Sequence, residues 1–184
     1  VLERCDDDGD RLLFVEQPFP RETALRPPVT DALRNWRDRP PIVIDESDAE
    51  LDTCGRALDR GYDGTSHKNC KGVFKGIVNA CLAEKRRQEG ESVIVSGEDL
   101  TNIGPVSLQQ DLAVMATIGI DHVERNGHHY FRGLEMFEES LQSSVLDGHP
   151  DLYRALPDGT AALSIDDGRV RLDSVVDAPC RTHD

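Results

Sequence analysis

Three residues of this chain have side chains and a spacing suited to chemistry: Glu16, Asp45 and Lys68, 29 and then 23 residues apart. Each closes a short run that is apolar or weakly so. Leu12-Leu13-Phe14-Val15 leads into Glu16-Gln17-Pro18, and Ile42-Val43-Ile44 leads into Asp45-Glu46-Ser47. The third and weakest run, from Tyr62 to His67, leads into Lys68-Asn69-Cys70-Lys71-Gly72. A short apolar run bounded by turn residues reads as a strand buried in a parallel sheet. Charged residues at the C-terminal ends of such strands sit where α/β folds carry out their chemistry. Two carboxylates and a lysine on consecutive strand ends suit a divalent cation with a base beside it. Hard oxygen donors, with no Cys or His among them, favour magnesium over zinc. The gaps also match one β/α unit of an eightfold barrel, where about 250 residues are shared among eight units.

The elements that must position these residues follow in order. Strands are expected at Leu12–Val15, Ile42–Ile44, about Tyr62–Ser66, Ser92–Val95 and 120–124. A helix over Thr30–Arg37 is expected with Thr30 as its cap. A second should open on a capping box of Ser47 and Glu50, bury Leu51, Cys54 and Leu58, and close at Gly61. The next starts at Gly72, with Val73, Phe74, Ile77, Val78, Cys81 and Leu82 as its buried stripe and Glu84-Lys85-Arg86-Arg87 as its wet end. Further helices are expected over Leu108–Ile118 and Leu134–Ser143. Near the C-terminus, Ala161–Ile165 and Val170–Leu172 flank Asp166-Asp167-Gly168, an Asp-Gly hairpin signal. Strands alternating with helices imply β/α units on a parallel sheet.

With 184 residues the chain is long enough for one domain with a real core. Its 21 basic residues against 35 acidic ones give a formal net charge of −14, which argues against nucleic acid and anionic membrane as partners. No signal peptide or membrane span is evident in the sequence. The five cysteines, Cys5, Cys54, Cys70, Cys81 and Cys180, form no CxxC pair, and their odd number suits reduced thiols in a cytoplasmic compartment.

Other motifs carry less. Asp6-Asp7-Asp8-Gly9-Asp10 invites a calcium-loop reading, but Gly9 in the sixth position would put Arg4 first and Val15 twelfth, where oxygen donors are needed. It reads as a turn. Adjacent His128 and His129 point apart on a strand or loop, which weakens any shared metal role. His67 should face the side of its strand opposite Lys68, and Lys71 reads as structural or phosphate-facing rather than as the base.

The segments Phe14-Val15-Glu16-Gln17-Pro18-Phe19-Pro20, Ile44-Asp45-Glu46-Ser47 and Lys68-Asn69-Cys70-Lys71-Gly72 resemble the enolase superfamily, in its mandelate racemase and muconate lactonizing branches. The likeness covers roughly residues 10–180. It implies an α/β fold, the C-terminal part (about strands four to eight) of a TIM-type barrel over residues 1–150. It also implies a tail with a hairpin over 151–184 that returns toward a capping domain. Glu16 and Asp45 match the second and third magnesium ligands, and Lys68 matches the base on the sixth strand. Glu98 falls at the seventh strand end, where it would bind substrate or hydrogen-bond the base, although a helix-cap or loop role fits it equally. Glu124 falls at the eighth, where some members hydrogen-bond the intermediate.

The resemblance also leaves gaps. The first acidic ligand and the Lys-x-Lys motif would lie upstream of Val1, and so would the capping domain. The expectation is therefore a piece of a longer protein, or a chain completed by another copy or by its missing N-terminal part. Racemase-type members carry a His at the seventh strand, and none is evident at Ser96-Gly97-Glu98-Asp99.

The activity implied is Mg²⁺-dependent abstraction of a proton α to a carboxylate. It gives a metal-stabilised enediolate that leads to racemisation, dehydration or cycloisomerisation of a small hydroxy or sugar acid. Lys68, close to the cation, is expected to have a lowered pKa and to act as a neutral base. Two alternatives stay open. Glu16 and Glu98 could be the carboxylate pair of a metal-independent glycosidase, or the chain could be a non-catalytic binding module.

Overall fold

The computed structural model describes residues 12–125 and 127–176, apart from the side chains of His128 and His129. The acidic run Asp6–Asp10 lies outside the described residues, as do Cys5 and Cys180. The chain is mixed α/β. Strands β1 (Val15–Glu16), β2 (Ile42–Ile44), β3 (Gly64–His67), β4 (Ile94–Glu98) and β5 (Val123–Glu124) are hydrogen-bonded in the order β1-β2-β3-β4-β5. The registered pairs are parallel: Val15 faces Ile42, Val43 faces Gly64, and Gly97 faces Val123. Parallel strands in chain order require a crossover between each pair, which is what the alternating pattern implied.

Two compact units divide the chain at Ser96 and Gly97, within β4. The first holds β1, helices α1 (Arg21–Ala24) and α2 (Pro27–Asn35), β2, α3 (Thr53–Leu58), β3 and α4 (Val73–Gln88). Its core is built from Ala24, Leu33, Ile42, Ile44, Ala57 and Tyr62, all buried. Tyr62 also donates its hydroxyl to the Ala24 carbonyl at 2.7 Å, satisfying its one polar atom inside that core. At the N-terminal ends of β2 and β3, Arg39 pairs with Asp63 and donates to the Gly61 carbonyl at 2.6 Å. Asp63 in turn accepts from the Ile42 amide at 2.7 Å.

The second unit holds α5 (Pro105–Thr117), β5, α6 (Gly127–Tyr130), α7 (Glu139–Gly148), the antiparallel pair β6 (Tyr153–Ala155) and β7 (Ala161–Leu163), and α8 (Asp173–Val176). Its core includes Leu108, Leu112, Leu134, Leu152, Tyr153 and Val175. Residues 151–176, expected as a tail, thus share a core with α5 and α7.

Several expectations need correction. The first strand is Val15–Glu16, and Leu12 and Leu13 are exposed. Thr30 does not cap α2. The helix opens on Pro27 and Pro28, whose fixed φ and missing N–H suit a first turn, and the buried Thr30 hydroxyl donates to the Pro27 carbonyl. Ser47 and Glu50 form no capping box, because α3 starts only at Thr53 and the Ser47 hydroxyl is held by Gln17. Leu51 is exposed, while Cys54 and Ala57 are buried.

Helix α4 is turned relative to the expected face. Val73, Phe74, Ile77, Val78 and Cys81 lie outward, whereas Lys75, Gly76, Asn79 and Ala83 are buried. Close approach decides this. A Cβ at Gly76 would come within 2.4 Å of the His67 ring, so only glycine lets α4 lie this near β3.

The helix expected at Leu134 starts instead at Glu139, since the Leu134 amide is bound to the Ala161 carbonyl at 2.8 Å. The hairpin joins Tyr153–Ala155 to Ala161–Leu163 through Asp158-Gly159, with Gly159 at φ +89°. The later Asp-Gly pair closes only a tight turn, a single bridge from Asp166 to Arg169.

Candidate functional site

In the first unit the strand ends are tied together by Gln17. Held at φ +39°, it turns the chain directly after β1. Its side-chain oxygen accepts from the Asp45 amide at 2.8 Å and the Ser47 amide at 3.2 Å. Its nitrogen donates to Ser47 Oγ at 2.8 Å and to the Phe19 carbonyl at 2.7 Å. One amide side chain therefore fixes the exit of β1 against the exit of β2, and with it the places of Glu16 and Asp45.

Asp45 is the centre of the cluster, its side chain only 3 % exposed. Lys68 Nζ lies 2.7 Å from its Oδ2, and Lys71 Nζ lies 2.6 Å from its Oδ1. Lys71 also donates to the Asp45 carbonyl and the Ser66 carbonyl, each at 2.8 Å, so all three of its protons are committed. Burial alone would raise the pKa of Asp45. The hydrogen bonds and charges of the two ammonium groups outweigh it and hold the carboxyl below its ordinary value. Glu16, the last residue of β1, is half-buried, and its carboxylate lies within 4.8 Å of that of Asp45.

Behind this cluster lies a second buried polar network. Asp48, bound through its amide to the Asp45 carbonyl at 2.9 Å, receives Lys75 at 2.6 Å. Thr65 Oγ1 and Asn79 Nδ2 also donate to it, each at 2.9 Å. Lys75 and Asn79 are the polar residues that α4 turns inward. Together they pin the loop after β2, on which Asp45 sits. Cys54, buried near Asp48, has its thiol pushed up to about 12 by that burial and by the neighbouring negative charge, so it is inert near neutral pH.

Glu16, Asp45 and Lys68 are brought together in one unit. His67 lies on the far side of β3, against α4, with Asn69 as its partner at 2.8 Å. Glu98 ends β4 in the second unit, half-buried and in register with Glu124, which is exposed. The residue following each is charged and buried. Asp99, fully buried, accepts from the Thr101 amide at 2.9 Å, and Arg125 Nη2 reaches it at 3.2 Å. The positions of His128 and His129 as ligands lie outside the described side chains.

Gln17, Asp48, Lys75, Asn79 and Arg125 escaped the sequence reading. A signal existed for two of them: Lys75 and Asn79 are one turn apart on the helical line that also carries the small residues Gly76 and Ala83. Gln17 stands in the middle of a quoted motif, but only its contacts give it a role.

No family model matches the chain, and no curated protein or solved structure does either.

The donor chemistry fits a hard divalent cation in part. Two carboxylates within 4.8 Å approach the span of a shared ion, whose ligands at about 2.1 Å stand up to about 4.2 Å apart. Asp45 is the constraint, since both of its oxygens face ammonium groups. Lys71 is anchored by two further carbonyls as well, and Lys68 meets Asp45 on its other oxygen.

Proposed function

We propose that the first unit carries a Mg²⁺-assisted site for abstracting a proton α to the carboxylate of a small hydroxy or sugar acid, with Lys68 as the base. The observation that carries this reading is the contact of Lys68 with a buried Asp45 whose carboxylate also neighbours that of Glu16. Glu16 and Asp45 would hold the ion, which when bound supplies positive charge against the negative charge developing on the substrate carboxylate. Asp45 keeps its place through Lys71 and Gln17 while that charge is shared. Lys68, once its ammonium proton has passed to solvent water, is the acceptor for the α-proton. The parallel strands in chain order support the finer fold, strands four to eight of a TIM-type barrel, since a barrel is wound in that order. We include in the proposal association with a further copy or with an N-terminal part. No helix among the described residues is long and apolar enough to cross a membrane. The free thiols Cys54, Cys70 and Cys81 support a reducing, cytoplasmic compartment.

The test is α-proton exchange. A panel of hydroxy and sugar acids is incubated with the chain in D₂O and Mg²⁺, and loss of the α-proton signal is followed by NMR. The expected outcome is exchange that stops with a chelator and falls by about 10²-fold or more in Lys68→Met. Glu16→Gln should weaken Mg²⁺ binding in calorimetry. Exchange that survives both the chelator and Lys68→Met would sink the proposal, and glycoside hydrolysis in the chelator would favour the paired-carboxylate alternative.

A further inference from the structure

Helix α4 leaves its apolar stripe outside the fold. Val73, Phe74, Ile77, Val78 and Cys81 recur at helical spacing on the outward face, with Phe74 86 % exposed and Ile77 and Val78 41 % and 44 % exposed. The outward face carries no charge before Glu84, because Lys75 and Asn79 are turned inward onto Asp48. An uncharged apolar stripe of this length is at odds with the surface of a chain whose net charge is −14. It exposes roughly 400–500 Å² of side chain, the range in which a patch on a monomer is often functional.

The order of sizes along the stripe fits a second copy of itself. A contact about a two-fold axis needs a self-complementary surface. With the axis between Ile77 and Val78, perpendicular to α4, Phe74 of one copy meets Cys81 of the other, and Ile77 meets Val78. The largest side chain of the stripe thus lies over the smallest, with the small Ala80 beside it. A parallel pairing would stack Phe74 on Phe74 and leave a gap at Cys81. The antiparallel one also brings opposite ends of the two helix dipoles together. An N-terminal part that continued the sheet would place its strand beside β1, two strands away from β3, on which α4 packs through Gly76 and His67.

We infer that the outward face of α4 is a self-association surface, through which two copies of this chain pair antiparallel as a weak, closed dimer. The inference rests on the association with a further copy proposed above and gives it a surface; it does not depend on proton abstraction. Two stripes together would bury on the order of 900 Å², against about 1,600 Å² for a standard stable interface. Two bodies that each carry −14 also repel. Both effects hold the affinity down, to a dissociation constant on the order of 10⁻⁴ M. Because the contact is apolar and the opposing term is charge repulsion, salt strengthens the pair.

The experiment is sedimentation equilibrium of the native chain from about 10 µM to about 1 mM, with a reductant that keeps Cys70 and Cys81 as thiols. A monomer–dimer equilibrium that stops at two copies is expected, tightening about threefold or more between about 0.05 and 0.5 M salt. Alkylation of Cys81 should slow several-fold over the same concentrations, since Phe74 of the other copy covers it. Phe74→Ser should raise the dissociation constant about tenfold or more, while Tyr130→Ser, at a side chain 74 % exposed in the second unit, should leave it unchanged. A dimer that persists in Phe74→Ser, with Cys81 open to alkylation, would overturn the α4 surface and leave association with a further copy standing. A monomer at every concentration and salt would overturn both. Growth beyond two copies, or a dimer that weakens with salt, would refute a closed apolar pair. None of these results bears on the proton-exchange assay, which at micromolar protein reads the monomer.

Discussion

Lys71 and Lys68 touch the same carboxylate on different oxygens. Lys71 spends its three protons on Asp45 Oδ1, the Asp45 carbonyl and the Ser66 carbonyl. Moving it would strand three buried acceptors, so it serves as a brace for the loop after β2. Truncating it leaves Asp45 with Lys68 alone and exposes two carbonyls to an apolar methyl. Losing one partner of a buried pair costs about 3–5 kcal/mol. With Lys68 still on Oδ2, Lys71→Met is expected to destabilise by about 2–4 kcal/mol in urea unfolding. A loss below about 0.5 kcal/mol, the range of a plain surface change, would show that the brace is not there. Gln17 acts in the same way from the other side, joining two strand exits with one amide group. A carboxylate braced by Lys71, and touching Lys68 on its other oxygen, is the arrangement on which the proposed base depends.

At the scale of the element, α4 shows how a tertiary contact overrides a hydrophobic pattern. Its sequence offers an apolar stripe through Val73, Phe74, Ile77, Val78 and Cys81, yet the line through Lys75, Gly76, Asn79 and Ala83 is buried. Two small residues on that line allow close approach, and the two polar ones are satisfied by Asp48. Gly76→Ala weighs the two effects against each other. Alanine gains about 0.8–1 kcal/mol in helix propensity, but its Cβ would fall 2.4 Å from the His67 ring and 2.7 Å from its Nδ1. Overpacking costs about 1–3 kcal/mol, so net destabilisation is expected. Phe74→Ser, at a residue 86 % exposed, should stay within about 0.5 kcal/mol. Thermal or urea unfolding of both variants checks the face directly, and the reverse order of effects would refute it.

The same helix marks what the sequence could and could not disclose. The three strand ends carrying Glu16, Asp45 and Lys68 were legible because an apolar run interrupted by charge is a local signal, and the parallel order followed from alternation. The orientation of α4, the true start of α7 at Glu139 and the partner of the Ala161 strand were not. Each is decided by a contact between different elements of the chain: Gly76 with His67, Leu134 with Ala161, and Tyr153 with Leu163. The hairpin turn was itself ambiguous locally, since Asp158-Gly159 and Asp167-Gly168 carry the same signal and only the first is flanked by two segments that pair. Arg125 gave no warning either, because a single arginine after a strand becomes notable only once a buried Asp99 meets it.

For the molecule as a whole, two electrostatic effects oppose each other as pH falls, and Asp45 decides where the balance turns. At pH 7 the formal net charge is −14, and its self-repulsion weakens folding. Acidification toward pH 5 relieves part of that. Asp45 acts in the opposite sense. Its folded carboxyl titrates below 3.8, its ordinary value, because two ammonium bonds outweigh burial. Above 3.8 both states are ionised and its contribution to stability is complete. Below that value the unfolded chain takes up the proton first, so stability falls with pH until the folded carboxyl is protonated too, at up to about 1.4 kcal/mol per pH unit. Asp151 in the second unit adds a limb of the same sign, its pKa raised by burial but lowered further by hydrogen bonds from Ser174. Urea unfolding should therefore give stability that is flat or rising from pH 7 to 5 and falling below about pH 4. High salt separates the causes. It screens the surface repulsion, which acts over a Debye length of about 10 Å at 0.1 M, and should flatten the upper part of the curve. The acid limb should persist, since the Asp45 pairs are buried, and it should be shallower in Asp45→Asn. An acid limb that vanished in high salt, or one unchanged in Asp45→Asn, would mean that the clamp on Asp45 contributes nothing to holding the strand ends together.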